Sequence, residues 1–262
     1  MSGSLIEWVD VEAARAARGV RLVVAGAIAS PWSEAAKGMF HAKGIRVLGV
    51  RFRRGDDELR AWTGAHNVPV ALFDDEPPRT GWAEILALAE RIGGGAPLLP
   101  ADAAGRARLH GLAHELAGEH GLGWCSRLVM VHGSLSTGGA RSFPLPLGQY
   151  LGRKYGYAPE RAGPARARIV EVLQLLDAEL ARSRAAGHAY LLGERLSALD
   201  IYLATFLNPA SGLTEADCPA MAPQARAGYA YLTEVVGGEV PAALAAHRAL
   251  LYANHLPWPI AL

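Results

Sequence analysis

The stretch of sequence that decides the fold is Ser30-Pro31-Trp32-Ser33, which joins an apolar segment to a helix-like one. The apolar segment, residues 20–29, has the composition of a buried strand. Serine followed by proline is a typical helix start, because serine caps the first turn and proline fits the first helical position. The sequence therefore predicts a strand over residues 21–27, a tight turn, and a helix over residues 31–43 that ends at Gly44.

Further strands and helices alternate over the next fifty residues. Strands are predicted at residues 46–52 and 68–73, and helices at residues 58–65 and 82–91. The second of these strands contains Val68-Pro69-Val70. Ahead of the first strand, residues 10–18 have the pattern of a short amphipathic helix that Asp10 caps and Gly19 ends. This order predicts one small mixed sheet with helices packed on it.

A change of composition at residues 93–100, a run of Gly and Pro, marks the clearest boundary in the chain. The sequence beyond it carries almost no strand signal. Helices are predicted at residues 101–120, 159–186, 198–207, 223–235 and 241–252, and residues 124–135 either continue or follow the first of them. Residues 134–147 are predicted to form a loop. The predicted organisation is an extension helix over 1–19, an α/β domain over 20–92, a linker over 93–103 and an all-helical domain over 104–262.

Composition and charge exclude several classes of function. The 262 residues carry 26 basic and 25 acidic side chains, so a nucleic acid or an anionic membrane surface is not the expected partner. No run of 18 apolar residues predicts a membrane span, and the first 19 residues lack the apolar core of a secretory signal. The protein is expected to be soluble and cytoplasmic.

The two cysteines, Cys125 and Cys218, are far apart and lack the spacing of metal ligands, which argues against a disulfide framework or a zinc cluster. This cysteine usage fits a reducing compartment. His110 and His114 lie four residues apart on a predicted helix, but such pairs are common as solvated or packed positions, and no metal site is predicted. Abundant Ala and Gly, with Arg strongly preferred to Lys, suggest a GC-rich bacterial genome.

The order of these motifs resembles the glutathione S-transferase superfamily over nearly the whole chain. The turn Ser30-Pro31-Trp32-Ser33 looks like the active-site turn of serine- or cysteine-type members, and Val68-Pro69 matches their conserved cis proline motif. Ser197-Ala198-Leu199-Asp200 matches the capping box of the sixth helix of the family. The resemblance implies an α/β N-terminal thioredoxin-like domain plus an all-α C-terminal helical domain.

The resemblance also implies a binding site for glutathione as co-substrate. Ser30 is the implied catalytic residue, whose hydroxyl orients the glutathione thiolate, and the backbone of Val68 pairs with the cysteinyl unit. The predicted glutathione contacts are Trp32, Ser33, Asn67, Val68, Pro69 and Trp82. Ser30 also has a plain structural interpretation as a helix cap, and Ser33, at the third helical position, is expected mainly to support the helix.

One departure from the family pattern bears on function. The family usually has an acidic residue and a serine at the start of the helix after the third strand, where they hold the γ-glutamyl end of glutathione. Gly81 and Trp82 occupy those places here, and Thr80 can substitute only if the turn is shifted by one residue. The usual γ-glutamyl clamp is therefore expected to be missing or rebuilt.

Two classes of function remain open from the sequence. The leading one is a glutathione-dependent transferase or lyase acting on a small apolar electrophile, with a homodimer as the expected assembly. The alternative is a non-catalytic binding or interaction module that keeps the two-domain scaffold. Five aromatic residues of the helical part are candidates for a second-substrate pocket, and equally for core or interface positions: Trp124, Phe143, Tyr150, Tyr155 and Tyr157.

Overall fold

The computed structural model describes residues 5–53 and 55–262. The first four residues of the predicted extension therefore lie outside the described residues. The described residues form four strands: β1 (Ile6–Trp8), β2 (Val20–Ala25), β3 (Val47–Phe52) and β4 (Val70–Phe73). The first four helices are α1 (Val11–Ala16), α2 (Pro31–Ala42), α3 (Asp57–Thr63) and α4 (Trp82–Ile92). Seven further helices are α5 (Ala103–Ala117), α6 (Leu122–Leu135), α7 (Leu145–Tyr155), α8 (Ala162–Ala185), α9 (Ala198–Leu207), α10 (Pro223–Val236) and α11 (Ala242–Asn254).

The strands form one mixed sheet in the order β1-β3-β2-β4, followed in the chain by a wholly helical part. Strands β1 and β2 both run parallel to β3, whereas β4 runs antiparallel to β2 with Val23 opposite Val70. Because of this antiparallel pairing, the end of β2 and the start of β4 lie side by side at one edge of the sheet. The fold class is that of an α/β thioredoxin-like domain joined to an all-α domain.

Strand β1 is a feature that the sequence did not predict. Ile6 and Trp8 pack on Gly49 of β3, where an added Cβ would lie 2.7 Å from Ile6 Cγ2 and 2.8 Å from Trp8 Cε3. Gly49 thus permits the close approach that adds β1 to the edge of the sheet. Helix α1 does begin after Asp10, whose carboxylate accepts from Ala13 N–H at 2.8 Å.

Helix α7 is the second correction. The loop predicted for residues 134–147 ends at Pro144, and the chain then forms a helix as far as Tyr155, which Gly156 terminates in the left-handed conformation. Two prolines and three glycines across residues 138–148 hid the start of this helix. As described below, this helix supplies part of the candidate site.

Helix α9 lies at the centre of the molecule, and all ten of its residues are buried. It packs against α2, where an added Cβ on Gly38 would lie 2.8 Å from Ile201 Cγ2, so the two helices approach closely. Strand β2, helix α2 and helix α9 belong to one continuous apolar core that holds the sheet against the helical part. No helix among the described residues has both the length and the apolar character needed to cross a bilayer.

Candidate functional site

A cavity of about 730 Å³ lies between the sheet edge where β2 ends and the helical part of the chain. The turn after β2 and the segment before β4 form one side of it. Helices α6 and α7 and the start of α10 form the other side. Both sequence motifs of the first domain, the turn at Ser30 and the Val68-Pro69 pair, therefore meet at a single concave site.

Ser30 is the N-cap residue of α2, and its side chain does not cap the helix. The hydroxyl makes no hydrogen bond within the described residues, and Ser30 lines the cavity although only 7% of its surface is exposed. The backbone around it is fixed: Ser30 N–H donates to Ile28 O at 2.7 Å, and the Tyr229 hydroxyl donates to Ala29 O at 2.6 Å. The Ser30 hydroxyl, which does not cap the helix, is thus held at the wall of the cavity.

Ser33 has a different environment from Ser30. It is completely buried, and its hydroxyl oxygen accepts from Ala25 N–H at 3.2 Å, which ties the helix start to the end of β2. Ser33 does not line the cavity. The structure therefore separates the two serines of the turn, and the predicted contact of Ser33 with glutathione is replaced by a structural role.

Trp32 lines the cavity and is held in place from behind. Its indole N–H donates to Ala117 O at the end of α5 at 2.8 Å, and its ring makes an edge contact with Phe206 at a centroid distance of 5.0 Å. Gly123 allows this arrangement, since an added Cβ there would lie 2.8 Å from the indole ring. Trp32 therefore forms a rigid part of the wall between the two halves of the chain.

Asn67, Val68 and Pro69 line the same cavity, on the side that also carries the turn at Ser30. The Val68–Pro69 peptide is cis, as the sequence predicts. The backbone N–H and C=O of Val68 make no hydrogen bond within the described part of the chain. A backbone donor and acceptor are thus available side by side at the cavity surface.

The start of α4 corrects the prediction for Trp82. Its ring packs against Tyr202 at 5.6 Å and against His110 at 6.0 Å, and it does not line the cavity. Thr80 does line it. Gly81 N–H donates to the carboxylate of Glu84 at 3.0 Å, and this bond caps the first turn of α4.

The position of Thr80 follows from a short backbone bridge. Ala71 of β4 and Arg79 exchange two hydrogen bonds of 2.9 Å, so the segment after β4 turns back along that strand. Thr80 follows Arg79 directly and is carried towards the start of β4, where Pro69 lies. Thr80 therefore lines the cavity on the same side as Pro69.

Aromatic residues form the apolar wall on the helical side. Trp124 and Tyr155 make an edge contact at 4.8 Å, and Phe143, which is 1% exposed, lies beside them on the lining. Tyr150 also lines the cavity. Tyr157 does not line it, and its hydroxyl lies 2.9 Å from His132 Nδ1. Four of the five aromatic candidates therefore meet at the cavity.

The sequence analysis did not identify the charged residues that line the cavity. Arg127 of α6 is 5% exposed, and Lys154 of α7 lies on the same wall. Partial desolvation, with the nearby charge of Arg127 as the second cause, lowers the pKa of Lys154.

Among the described residues, no group of three His, Cys, Asp or Glu side chains is placed to hold a metal ion, and His110 packs on Trp82 instead.

The comparisons with known proteins agree with this architecture. Residues 113–234 match the family model described as the C-terminal domain of glutathione S-transferase. This match identifies residues 113–234 as a domain of the glutathione S-transferase C-terminal type. A search of curated proteins found no match.

Solved structures of the glutathione S-transferase superfamily share the fold. A maleylacetoacetate isomerase from Methylobacterium extorquens AM1, crystallised with malonate and glutathione, is 22% identical with a TM-score of 0.52, over 88% of this chain and 96% of that one. A glutathione transferase family member from Pseudomonas fluorescens Pf-5, with two glutathione molecules bound, is 16% identical with a TM-score of 0.59, over 92% and 94%. A glutathione S-transferase from Methylobacterium radiotolerans, in complex with glutathione sulfonate, is 16% identical with a TM-score of 0.57, over 93% and 97%. At these identities the similarity establishes the fold.

Proposed function

We propose that this protein is a member of the glutathione S-transferase superfamily, that it binds glutathione in the cavity, and that it joins the glutathione sulfur to an electrophile, as a transferase or a lyase. The observation that carries the proposal is the hydroxyl of Ser30, which caps nothing and lies on the same cavity as the unpaired backbone groups of Val68. Two of the similar structures named above contain glutathione and a third contains glutathione sulfonate.

The proposed role of Ser30 follows from thiol chemistry. The thiolate is the nucleophile, and a free thiol is mostly protonated at neutral pH. A hydroxyl that donates a hydrogen bond to the sulfur favours the ionised form, and the positive end of the α2 dipole acts in the same direction. The proton leaves to solvent, the sulfur forms a bond to the electrophilic carbon, and the leaving group departs with its electron pair.

The remaining polar groups of the cavity suit the rest of the peptide. In this proposal the N–H and C=O of Val68 pair with the cysteinyl backbone of glutathione, while Thr80 and Asn67 contact its charged ends. Among the described residues, no carboxylate at the start of α4 is free to meet the γ-glutamyl amino group, because that of Glu84 accepts from Gly81 N–H. Weak glutathione affinity is therefore expected.

The absence of that carboxylate is also the observation that favours the second candidate, a non-catalytic binding module. Titration calorimetry with glutathione, followed by a conjugation assay with a generic aryl halide, separates the two. Binding with turnover supports the transferase, and binding without turnover on any of a panel of electrophiles supports the module. If glutathione does not bind at millimolar concentration, the proposal of a glutathione site is wrong.

Three further parts of the proposal concern context. We propose a homodimer, on the strength of the shared fold. We propose a cytoplasmic location, since both cysteines are free and buried, which suits a reducing compartment. The bias towards Arg over Lys supports a bacterial source.

A further inference from the structure

Arg127 is a buried cation without a counter-ion among the residues that the structure describes. It lines the cavity with 5% of its surface exposed, and its Nη1 is buried with no hydrogen-bond partner in the described part of the chain. No carboxylate of the described residues lies within 4.0 Å of the guanidinium. Its polar neighbour is Tyr229, whose hydroxyl donates to Ala29 O and whose oxygen accepts a hydrogen bond from the guanidinium, so that Nη1 is the atom left without a partner. Such a charge is costly in a folded protein unless something else satisfies it.

A second positive charge reinforces the first. Lys154 lies on the same wall, close enough for the charge of Arg127 to contribute to lowering its pKa. The single acidic residue on the lining as described is Glu119, which is 67% exposed at the rim and lies 3.8 Å from His120. The buried part of the lining therefore carries the positive charge of Arg127, on the same side of the cavity as Trp124, Phe143 and Tyr155, and the exposed Lys154 adds a second positive charge there.

We infer that the second ligand of this cavity is a small aromatic or unsaturated carboxylic acid. Arg127 binds its carboxylate, Lys154 adds a second positive charge, and the aromatic wall covers its apolar body. A guanidinium matches a carboxylate with paired, charge-assisted hydrogen bonds, and an anion would satisfy the atom that the protein leaves unpaired. The inference deepens the proposed function, since it names the class of the electrophile, but the binding itself does not require glutathione.

Calorimetry of the wild-type protein with cinnamate and with cinnamide, in the absence of glutathione, tests the inference. The two probes share the same apolar body and differ in charge. Cinnamate is expected to bind at least about tenfold more tightly, because a hydrogen bond to a charged group contributes more than a neutral one. Equal affinity for the two probes, or binding of neither, would overturn the inference.

Variants assign the effect to Arg127. Arg127→Met should abolish the preference for cinnamate while keeping cinnamide binding, and its melting temperature should be equal to or above that of the wild type, since an unpaired buried charge has been removed. Arg127→Lys should keep part of the preference. Arg153→Met, an exposed change next to Lys154 that does not line the cavity, is the matched control and should change neither affinity.

The outcomes also separate this inference from the proposed function. If glutathione fails to bind and the cinnamate preference depends on Arg127, the glutathione proposal is wrong and the carboxylate site stands. If Arg127→Met leaves cinnamate affinity unchanged but reduces the thiolate absorbance of bound glutathione at 240 nm, the guanidinium serves the sulfur, and the carboxylate assignment is wrong.

Discussion

His247 Nε2 lies 2.8 Å from Asp200 Oδ1, and both side chains are completely buried. The Asp200 carboxylate also accepts from Leu191 N–H at 3.0 Å, from Ser197 N–H at 2.9 Å and from the Ser197 hydroxyl at 2.6 Å. The motif that the sequence identified as a helix cap is therefore the centre of a larger buried network. It links α9 to α11 and to the turn at Leu191.

Replacing Asp200 by Ala should lower the free energy of unfolding by about 3 kcal/mol, because a buried histidine and two backbone N–H groups lose their acceptor. Ser197→Ala removes one donor and should cost about 1 kcal/mol. Urea denaturation measures both. The double variant should cost less than the sum, because the two residues are coupled; full additivity would show that they act independently.

Close packing at Gly228 predicts a second stability effect. A Cβ added there would lie 2.3 Å from Phe143 Cε1, and Phe143 is 1% exposed on the cavity wall. Gly228→Ala should therefore destabilise the protein by about 1–3 kcal/mol, as overpacking does. Gly111→Ala is the matched control: nothing lies within 4 Å of a Cβ there, so this helical glycine should gain about 0.5–1 kcal/mol on substitution. Equal effects would contradict the packing argument.

Burial of the cysteines predicts their reactivity. Burial raises the pKa of the Cys125 thiol to about 11 and also raises that of Cys218. At pH 8 both thiols of the native protein should react with iodoacetamide far more slowly than in urea. Because an unfolded thiol ionises near pH 8.5, any stability due to burial of the protonated thiol is fully present below that pH and is lost as the pH rises towards 11. Comparison with Cys125→Ala isolates this effect, and fast native alkylation at pH 8 would contradict it.

The homodimer can be tested directly. If the protein is the homodimer proposed above, light scattering at micromolar concentration should give about twice the chain mass of 27.7 kDa. Since dimerisation is concentration-dependent, the measurement should span about two decades of concentration. A constant mass near 27.7 kDa would contradict the dimer.

The sequence predicted the helices and strands whose ends are marked by capping residues and whose apolar residues recur with a regular period. Helices α2 and α9 were predicted nearly to their ends, because a capping serine, a proline or a terminal glycine marks them. Strand β1 was missed because three residues become a strand only through pairing with distant β3. Helix α7 was missed because Pro144, Pro146 and nearby glycines resemble a loop in the sequence.

The sequence likewise predicted only part of the candidate site, namely the residues that stand in motifs. Ser30, Trp32 and Val68 stand in recognisable motifs, and all three line the cavity. Arg127 stands in no motif, and nothing in residues 122–135 distinguishes it from a solvated surface arginine. Only the packing of α6 against its neighbours buries it beside the cavity. The sequence therefore indicates the peptide-binding side of the site better than the side that selects the second ligand.

The two serines of the turn give a test of the proposed chemistry with an internal control. Ser30→Ala should lower turnover by about 10²-fold, as the loss of one preorganised donor does, while leaving glutathione affinity nearly unchanged. Ser33→Ala makes the same chemical change three residues away, at a hydroxyl that accepts from Ala25 N–H. It should cost about 1 kcal/mol of stability and leave turnover intact. Steady-state kinetics with saturating glutathione, together with urea denaturation, measure both effects. A fully active Ser30→Ala variant would transfer the role in thiolate stabilisation from the hydroxyl to a backbone N–H at the start of α2.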